Sequence, residues 1–279
     1  MITVIRPGPL TTIQDIGRPG YAHLGVPRSG ALDQAALGRA NALVGNGAEA
    51  AGLETTLLGC ALRFEVGSRV AVTGAEAVVR VDKRPVSFEA PVEVPAGAVL
   101  DIGRAQRGVR SYLAVAGGID VEPILGSRST DTLSGLGPAK LTEGMTLPIG
   151  AGLPAAGDRP ARTEQADKSG ELVLGLRLGP RDDWFECAGL FAEAYTISPL
   201  SNRVGCRLAG SALTRTRAGE LPSEGVVLGA VQVPADGQPL IFLADHPTTG
   251  GYPVIGVVDD VTPLAQARPG STVRFRAID

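Results

Sequence analysis

The sequence predicts a mainly β protein with a few short helices, arranged in two units. Three observations carry this reading. Gly 38 and Pro 21 together make about a fifth of the 279 residues, against roughly an eighth in an average protein, while 44% of the chain is hydrophobic. Such a chain buries a core and turns often. Short apolar runs bounded by Gly, Pro or Asp recur in both halves, a spacing that suits a barrel or a sandwich. One long stretch, residues 150–170, reads GAGLPAAGDRPARTEQADKSG. It has no periodicity and the composition of a linker. The expected division is therefore 1–150 as a β-rich unit, 151–170 as linker and 171–279 as a second β unit.

In chain order, residues 2–5 read as a strand that ends at Arg6-Pro7-Gly8-Pro9. Residues 10–21 (LTTIQDIGRPGY) are polar and rich in glycine. The clearest helix follows. Ser29 caps it, Asp33 suits its first turn, and Leu32, Ala36, Leu43 and Val44 make a modest apolar stripe. Gly45-Asn46 stops it. This helix is expected among the longest of the chain, lying on a sheet or barrel. Runs at 61–65, 69–73, 77–81, 99–102 and 111–116 read as five short strands. Residues 124–131 (ILGSRSTD) then form a polar loop holding both an acid and a base.

In the second unit, residues 172–178 read as a strand, and Asp182-Asp183 before Trp184-Phe185 as a short helix start. Residues 196–205 (TISPLSNRVG) are a polar loop. Residues 226–233 and 240–244 are apolar runs joined by Pro234-Ala235-Asp236-Gly237, which predicts a hairpin. Both runs are nearly continuous, as in strands buried on both faces. The second stops on Asp245, followed by His246, Pro247, Thr248, Thr249, Gly250, Gly251 and Tyr252. A charge leaving a buried strand beside hydroxyls and paired glycines is the pattern of a binding loop on a rigid scaffold.

Composition excludes several functions. A net charge of −3 supplies no basic field for nucleic acid, and 4% aromatics build no base-stacking platform. Three scattered cysteines in no CxxC pair point to a reducing compartment. The first residues lack the apolar core of a signal peptide, and no run is long enough to span a bilayer. A cytoplasmic protein is expected. No GxxxxGK[ST], helix-opening GxGxxG, GxSxG or HExxH occurs, and His23 and His246 are the only histidines. No metal site is expected. What remains are loops of carboxylates, arginines and hydroxyls, suited to amides, carboxylates or phosphates.

Several longer motifs carry a resemblance. They are TTIQDIGRPGY with GVPRSGALD, NALVGN, LETTLLG, SYLAVAGGID with LGSRSTD, and SEGVVLGAVQVPADGQPL with TTGGYP. In this order they resemble the carboxyltransferase-domain family. That family includes the C subunit of bacterial 5-oxoprolinase, the antagonist of a histidine-kinase inhibitor and allophanate hydrolase subunit 2. It is also similar to part of the carboxyltransferase domain of urea carboxylase. The resemblance runs from near residue 3 to near residue 275. It implies β-barrel-like units of the cyclophilin-like type. It also implies a complex with a kinase-inhibitor-like homologue of the B subunit of 5-oxoprolinase, joined in the oxoprolinase reading by a third subunit, A. The complex would open 5-oxo-L-proline to L-glutamate with ATP, bound elsewhere because this chain has no phosphate loop. The alternatives are a biotin-dependent carboxyltransferase supplied by carboxybiotin, and a regulator without chemistry that binds a histidine-kinase inhibitor.

Three site loops depart from the family pattern. His246-Pro247 stands where Arg-Gln is usual, Asn202 and Val204 stand where Asp and Met are usual, and the stretch after GGYP reads Val257-Val258-Asp259-Asp260-Val261. On residue type and loop position, Asp245 and Asp131 are the expected acid/base groups. Arg128 and Arg203 are expected to hold substrate carboxylate or phosphate charge. Ser198, Asp33, Thr248, Thr249, Gly250 and Gly251 are expected to line the substrate.

Overall fold

The computed structural model describes residues 1–151 and 171–279. All of the expected linker except residue 151 lies outside the described residues. By contact, residues 1–18 and 29–151 make one unit, and residues 19–28 group with 171–279 in the other. No helix among the described residues is long and apolar enough to cross a membrane.

The first unit is a nine-stranded sheet that stays open as a half barrel. Its strands are β1 (Ile2–Arg6), β2 (Thr11–Gln14), β3 (Gly52–Thr56), β4 (Ala61–Phe64), β5 (Ser68–Val81), β6 (Arg84–Val86), β7 (Val92–Val94), β8 (Val99–Val115) and β9 (Thr146–Leu147). The order is β2-β3-β8-β4-β1-β9, with β5 also paired to β8 and carrying β6 and β7. Four of the runs read from sequence as separate strands fuse into two. β5 spans both 69–73 and 77–81, and β8 spans 99–102 and all but the last residue of 111–116. They pair antiparallel from Val70↔Val115 to Val81↔Leu100, with register shifts between Gly74 and Val79. These bulges absorb the glycine-rich inserts that read as turns, so the ladder bends without ending. The core beneath this sheet includes Ile2, Ile13, Leu53, Phe64, Leu100 and Leu113.

Helix α1 (Gln34–Val44) lies on β5 and β8, where Ala36 and Leu37 cluster with Tyr112, and Ala40 and Val44 with Ala71 and Ala114. It is the longest helix among the described residues, against five residues each for α2 (Ala188–Ala192) and α3 (Thr262–Gln266). Its stop is the expected Gly45, in the left-handed conformation at φ 81. Its cap is Asp33, not Ser29: Asp33 Oδ1 accepts the Ala36 N–H at 2.9 Å. Ser29 sits four residues earlier at φ 53, and its hydroxyl is spent on Thr130 O at 3.0 Å.

The second unit is a closed barrel. Its strands are β10 (Leu172–Leu178), β11 (Tyr195–Ile197), β12 (Gly205–Ala209), β14 (Ala230–Gln232), β15 (Leu240–Phe242), β17 (Val254–Val258) and β18 (Thr272–Ala277). β13 (Glu224–Gly225) and β16 (Thr249–Gly250) form a separate ribbon. The barrel order is β10-β17-β14-β15-β12-β11-β18, closed by parallel pairing of β10 with β18. Closure removes the sheet edges. The expected hairpin is present in shortened form, with Val231↔Ile241 and Gln232↔Leu240 opposed. The expected helix start at Trp184 is one 3-10 turn, Asp182–Trp184.

Candidate functional site

In the first unit, β2 is buried throughout its four residues and delivers Gln14 and Asp15 to a junction with residues 127–131. Asp15 organises that junction. Its Oδ1 accepts Gly17 N–H at 2.8 Å and the hydroxyls of Ser127 and Ser129 at 2.6 Å each. Its Oδ2 accepts Arg128 N–H at 2.6 Å. A buried carboxylate with four donors is satisfied and rigid. Arg18, equally buried, donates from Nη2 to Ser129 O and from Nε to Ile124 O. Gly137 lies against this corner at φ 92, where an added Cβ would stand 2.1 Å from Ser129 O.

Thr130 is held from three directions. Its N–H donates to Ile13 O at 2.9 Å, while its carbonyl accepts Gln14 Nε2 at 2.9 Å and Ser29 Oγ at 3.0 Å. Asp131 closes the loop as a turn: its Oδ1 accepts Leu133 N–H at 2.8 Å and Ser134 N–H at 3.0 Å. Three buried side-chain oxygens are left over at this junction without a hydrogen-bond partner: Gln14 Oε1, Thr130 Oγ1 and Asp131 Oδ2. A buried polar atom left unpaired is costly, most of all on a carboxylate. These three oxygens are the acceptors of the junction left for a further donor.

Beside it runs a second buried network that sequence reasoning missed. Tyr112 Oη donates to Glu54 Oε2 at 2.9 Å and accepts the Asp33 N–H at 2.8 Å. Leu32 N–H donates to the same Glu54 oxygen at 3.0 Å, and Arg110 Nε lies 3.4 Å from Glu54 Oε1. Burial first, then the charge of Glu54, pushes the Tyr112 phenol well above its usual range. The network bolts the segment before α1 to β3 and β8. Glu54 and Tyr112 lie in the LETTLLG and SYLAVAGGID motifs, but residue type alone does not mark them as partners.

The expected site residues of this unit divide accordingly. Asp131 joins the junction through its side chain. Asp33 is spent on capping α1. Arg128 turns away from Asp131, donating to Asp120 Oδ1 at 2.8 Å and Val121 O at 2.7 Å.

In the second unit, the structure brings Arg203 and Asp245 directly together. Nε donates to Oδ2 and Nη2 to Oδ1, both at 2.9 Å, with the side chains 1% and 0% exposed. The charge that ends β15 meets an arginine of this chain. Ser198 Oγ accepts Leu200 N–H at 3.2 Å, a local turn. Thr248 O accepts Val226 N–H at 3.0 Å, and Thr249 and Gly250 form β16 against Glu224 and Gly225. Gly250 makes room for a neighbour of this chain: an added Cβ would stand 2.7 Å from Gln232 Nε2. A Cβ on Gly251 would meet only Leu221 O, at 3.8 Å. Arg181 and Glu224 pair at the surface, and that bond to Arg181 holds the Glu224 carboxyl below its usual range. His246 is buried against Phe242 and donates from Nδ1 to Pro247 O at 2.6 Å.

Among the described residues, no group of three or more His, Cys, Asp or Glu is placed to hold a metal ion.

The family described as "Carboxyltransferase domain, subdomain A and B" matches residues 24–277. The 5-oxoprolinase C subunit of Escherichia coli (strain K12) is 41% identical over 287 residues, covering 99% of this chain and 90% of its own length. The urea amidolyase of Saccharomyces cerevisiae is 33% identical over 301 residues, covering 98% of this chain but 16% of its own length. The solved structure of the K. lactis urea amidolyase matches with a TM-score of 0.90 at 30% identity, covering 100% of this chain and 19% of that one.

Proposed function

The chain belongs to the carboxyltransferase-domain family, subdomains A and B, and from that premise we propose that it is the C subunit of a 5-oxoprolinase. One observation carries this reading: the near end-to-end match to the C subunit of a bacterial 5-oxoprolinase. In this reading the chain acts in a complex with homologues of the A and B subunits, and the complex opens 5-oxo-L-proline to L-glutamate. Ring opening adds water across the lactam C–N bond. The carbonyl carbon gains the oxygen, and the nitrogen leaves with a proton. Asp131 is the carboxylate of this chain proposed to face that nitrogen, because its Oδ2 is buried and unpaired.

ATP, which this reading implies for the complex, does not fit the one long helix end of the chain. Its Ala36 N–H is already taken by the Asp33 carboxylate, and the Asp33 and Leu32 N–H groups just before it go to Tyr112 and Glu54. A carboxylate already stands where a phosphate would bind. The nucleotide is assigned to the partner subunits.

A second reading is a carboxyltransferase module acting on a urea-type acceptor, favoured by the match to the urea amidolyases. The test is glutamate release from 5-oxoproline and ATP by this chain co-purified with its partners. Release that requires this chain supports the oxoprolinase reading. A complex that instead transfers carboxylate to urea overturns it.

A further inference from the structure

We propose that Gln14, Thr130 and Asp131 form an acceptor set that reads the N–H of an amide-type substrate. The proposal rests on the reading above and names how the substrate is recognised. Sequence separation hides the set: Gln14 and Thr130 lie 116 residues apart, yet Gln14 Nε2 donates to Thr130 O at 2.9 Å. That bond also fixes the orientation of the Gln14 amide, because a carbonyl oxygen only accepts. The same nitrogen reaches Thr12 Oγ1 at 3.0 Å. Gln14 Oε1 is therefore an acceptor by necessity, with no partner. Asp131 is fixed in the same way. Its Oδ1 takes two backbone N–H groups of its own turn, which leaves Oδ2 as the free acceptor. Thr130 Oγ1, between them in the chain, is buried and unpaired as well.

The chemistry of the three atoms selects the ligand. One is an amide oxygen and one a carboxyl oxygen, both acceptors, and the third is a hydroxyl that adapts. An anionic group placed on these atoms would be repelled by Asp131, so the carboxylate of 5-oxoproline, on the carbon next to the ring nitrogen, has to point away from them. A hard cation asks for six or more oxygens, and the set offers three. A neutral group bearing N–H next to a carbonyl, as in a lactam or a urea, donates to such atoms without charge conflict. The Asp131 bond also strengthens as the reaction runs. Once water has added to the carbonyl carbon, the nitrogen takes a proton before the C–N bond breaks; at that stage it is cationic, and its bond to the carboxylate is one between opposite charges. An interaction that grows along the reaction favours kcat over KM.

The orphan atoms provide a signature that a structural role would not give. Thr130→Val removes a buried, unpaired hydroxyl and keeps the shape, so it leaves the melting temperature unchanged or raised. In the intact complex it should lower kcat/KM for 5-oxoproline by about tenfold. Asp131→Asn should lower kcat by about a hundredfold or more with KM little changed. The discriminating probe is N-methyl-5-oxoproline, which lacks the N–H. The unmodified complex should reject it by at least about a thousandfold in kcat/KM, and the Thr130 and Asp131 variants should narrow that ratio. Binding of both lactams is followed in parallel by calorimetry. A complex that releases glutamate but treats the two lactams alike, or whose variants keep full discrimination, overturns this inference and leaves the oxoprolinase reading standing. A complex without turnover overturns that reading, and the calorimetric preference for the N–H lactam then decides this inference alone. Equal binding of the two lactams, or a response to sodium or potassium salts only, overturns it.

Discussion

Arg203 and Asp245 bond to each other through both ends of the guanidinium and the carboxylate, 42 residues apart and shut away from water. Two residues that read from sequence as a substrate clamp and an acid/base group are each other's partner. The pair also carries a backbone bond, Asp245 N–H to Arg203 O at 3.1 Å, so it ties the loop before β12 to the end of β15.

This pairing sets the first expectation. From the sequence alone, Asp245→Asn reads as a change with little effect on melting. In the structure it removes the charge that the buried Arg203 guanidinium bonds through two nitrogens, and breaking such a pair costs about 3–5 kcal/mol. Denaturant unfolding should show that loss, and the double variant Asp245→Leu with Arg203→Met should recover much of it. A single variant as stable as the parent would mean that the pair contributes nothing.

Cys60 is fully buried, and burial pushes its thiol up to about 11 against a smaller opposing effect from Thr55. At pH 8 in the native state Cys60 should resist iodoacetamide, while Cys187, half-exposed, reacts first. Mass spectrometry of partly labelled protein reads the order. The thiol is raised above its unfolded value, so its contribution to stability is complete below the ordinary cysteine range. That contribution is lost as pH climbs from there towards about 11.

Tyr112 follows the same sign at higher pH. Its phenol is raised well above 10 by burial and then by Glu54. The folded state therefore holds the proton more tightly, and stability falls as pH rises past 10. In an alkaline absorbance titration Tyr112 should ionise only together with unfolding. Tyr112→Phe should abolish that late step. It should also cost about 1–3 kcal/mol, because Asp33 N–H loses its acceptor.

Gly137→Ala should destabilise the first unit by at least about 2 kcal/mol, since the residue is in the left-handed region and the new methyl would meet Ser129 O at 2.1 Å. Because Ser129 precedes Thr130, the variant should also lower the turnover of the complex. A thermal melt alongside the glutamate assay checks both.

Much of the fold was legible in the chain order of residue types. The β character, the α1 stop at Gly45 and the hairpin around residues 234–237 rest on local backbone preference and on periodicity. Those are written in neighbours a few residues apart. The places where local reading failed share a cause. Ser29 looks like a cap, but its hydroxyl is claimed by Thr130, 101 residues away. The glycine-rich inserts around residues 74–76 and 103–108 look like strand ends, but β5 and β8 hold each other through them.

The candidate site divides in the same way. Its loops stood out as polar segments leaving apolar runs, and Asp131 was among the residues they offered. Which of those groups are spent and which remain open depended on contacts across the sheet. Asp15 consumes the Ser127 and Ser129 hydroxyls 112 and 114 residues away, Asp120 takes Arg128, and Arg203 takes Asp245. Gln14, Glu54 and Tyr112 lie inside motifs that carry the family resemblance, but nothing singled out their side chains, because a buried polar side chain on a strand resembles its neighbours until its partner is known. Residue order encodes the pitch and ends of each element. The pairing of buried polar atoms follows from which elements the closed hydrogen-bond ladders bring side by side, and only the folded chain sets that.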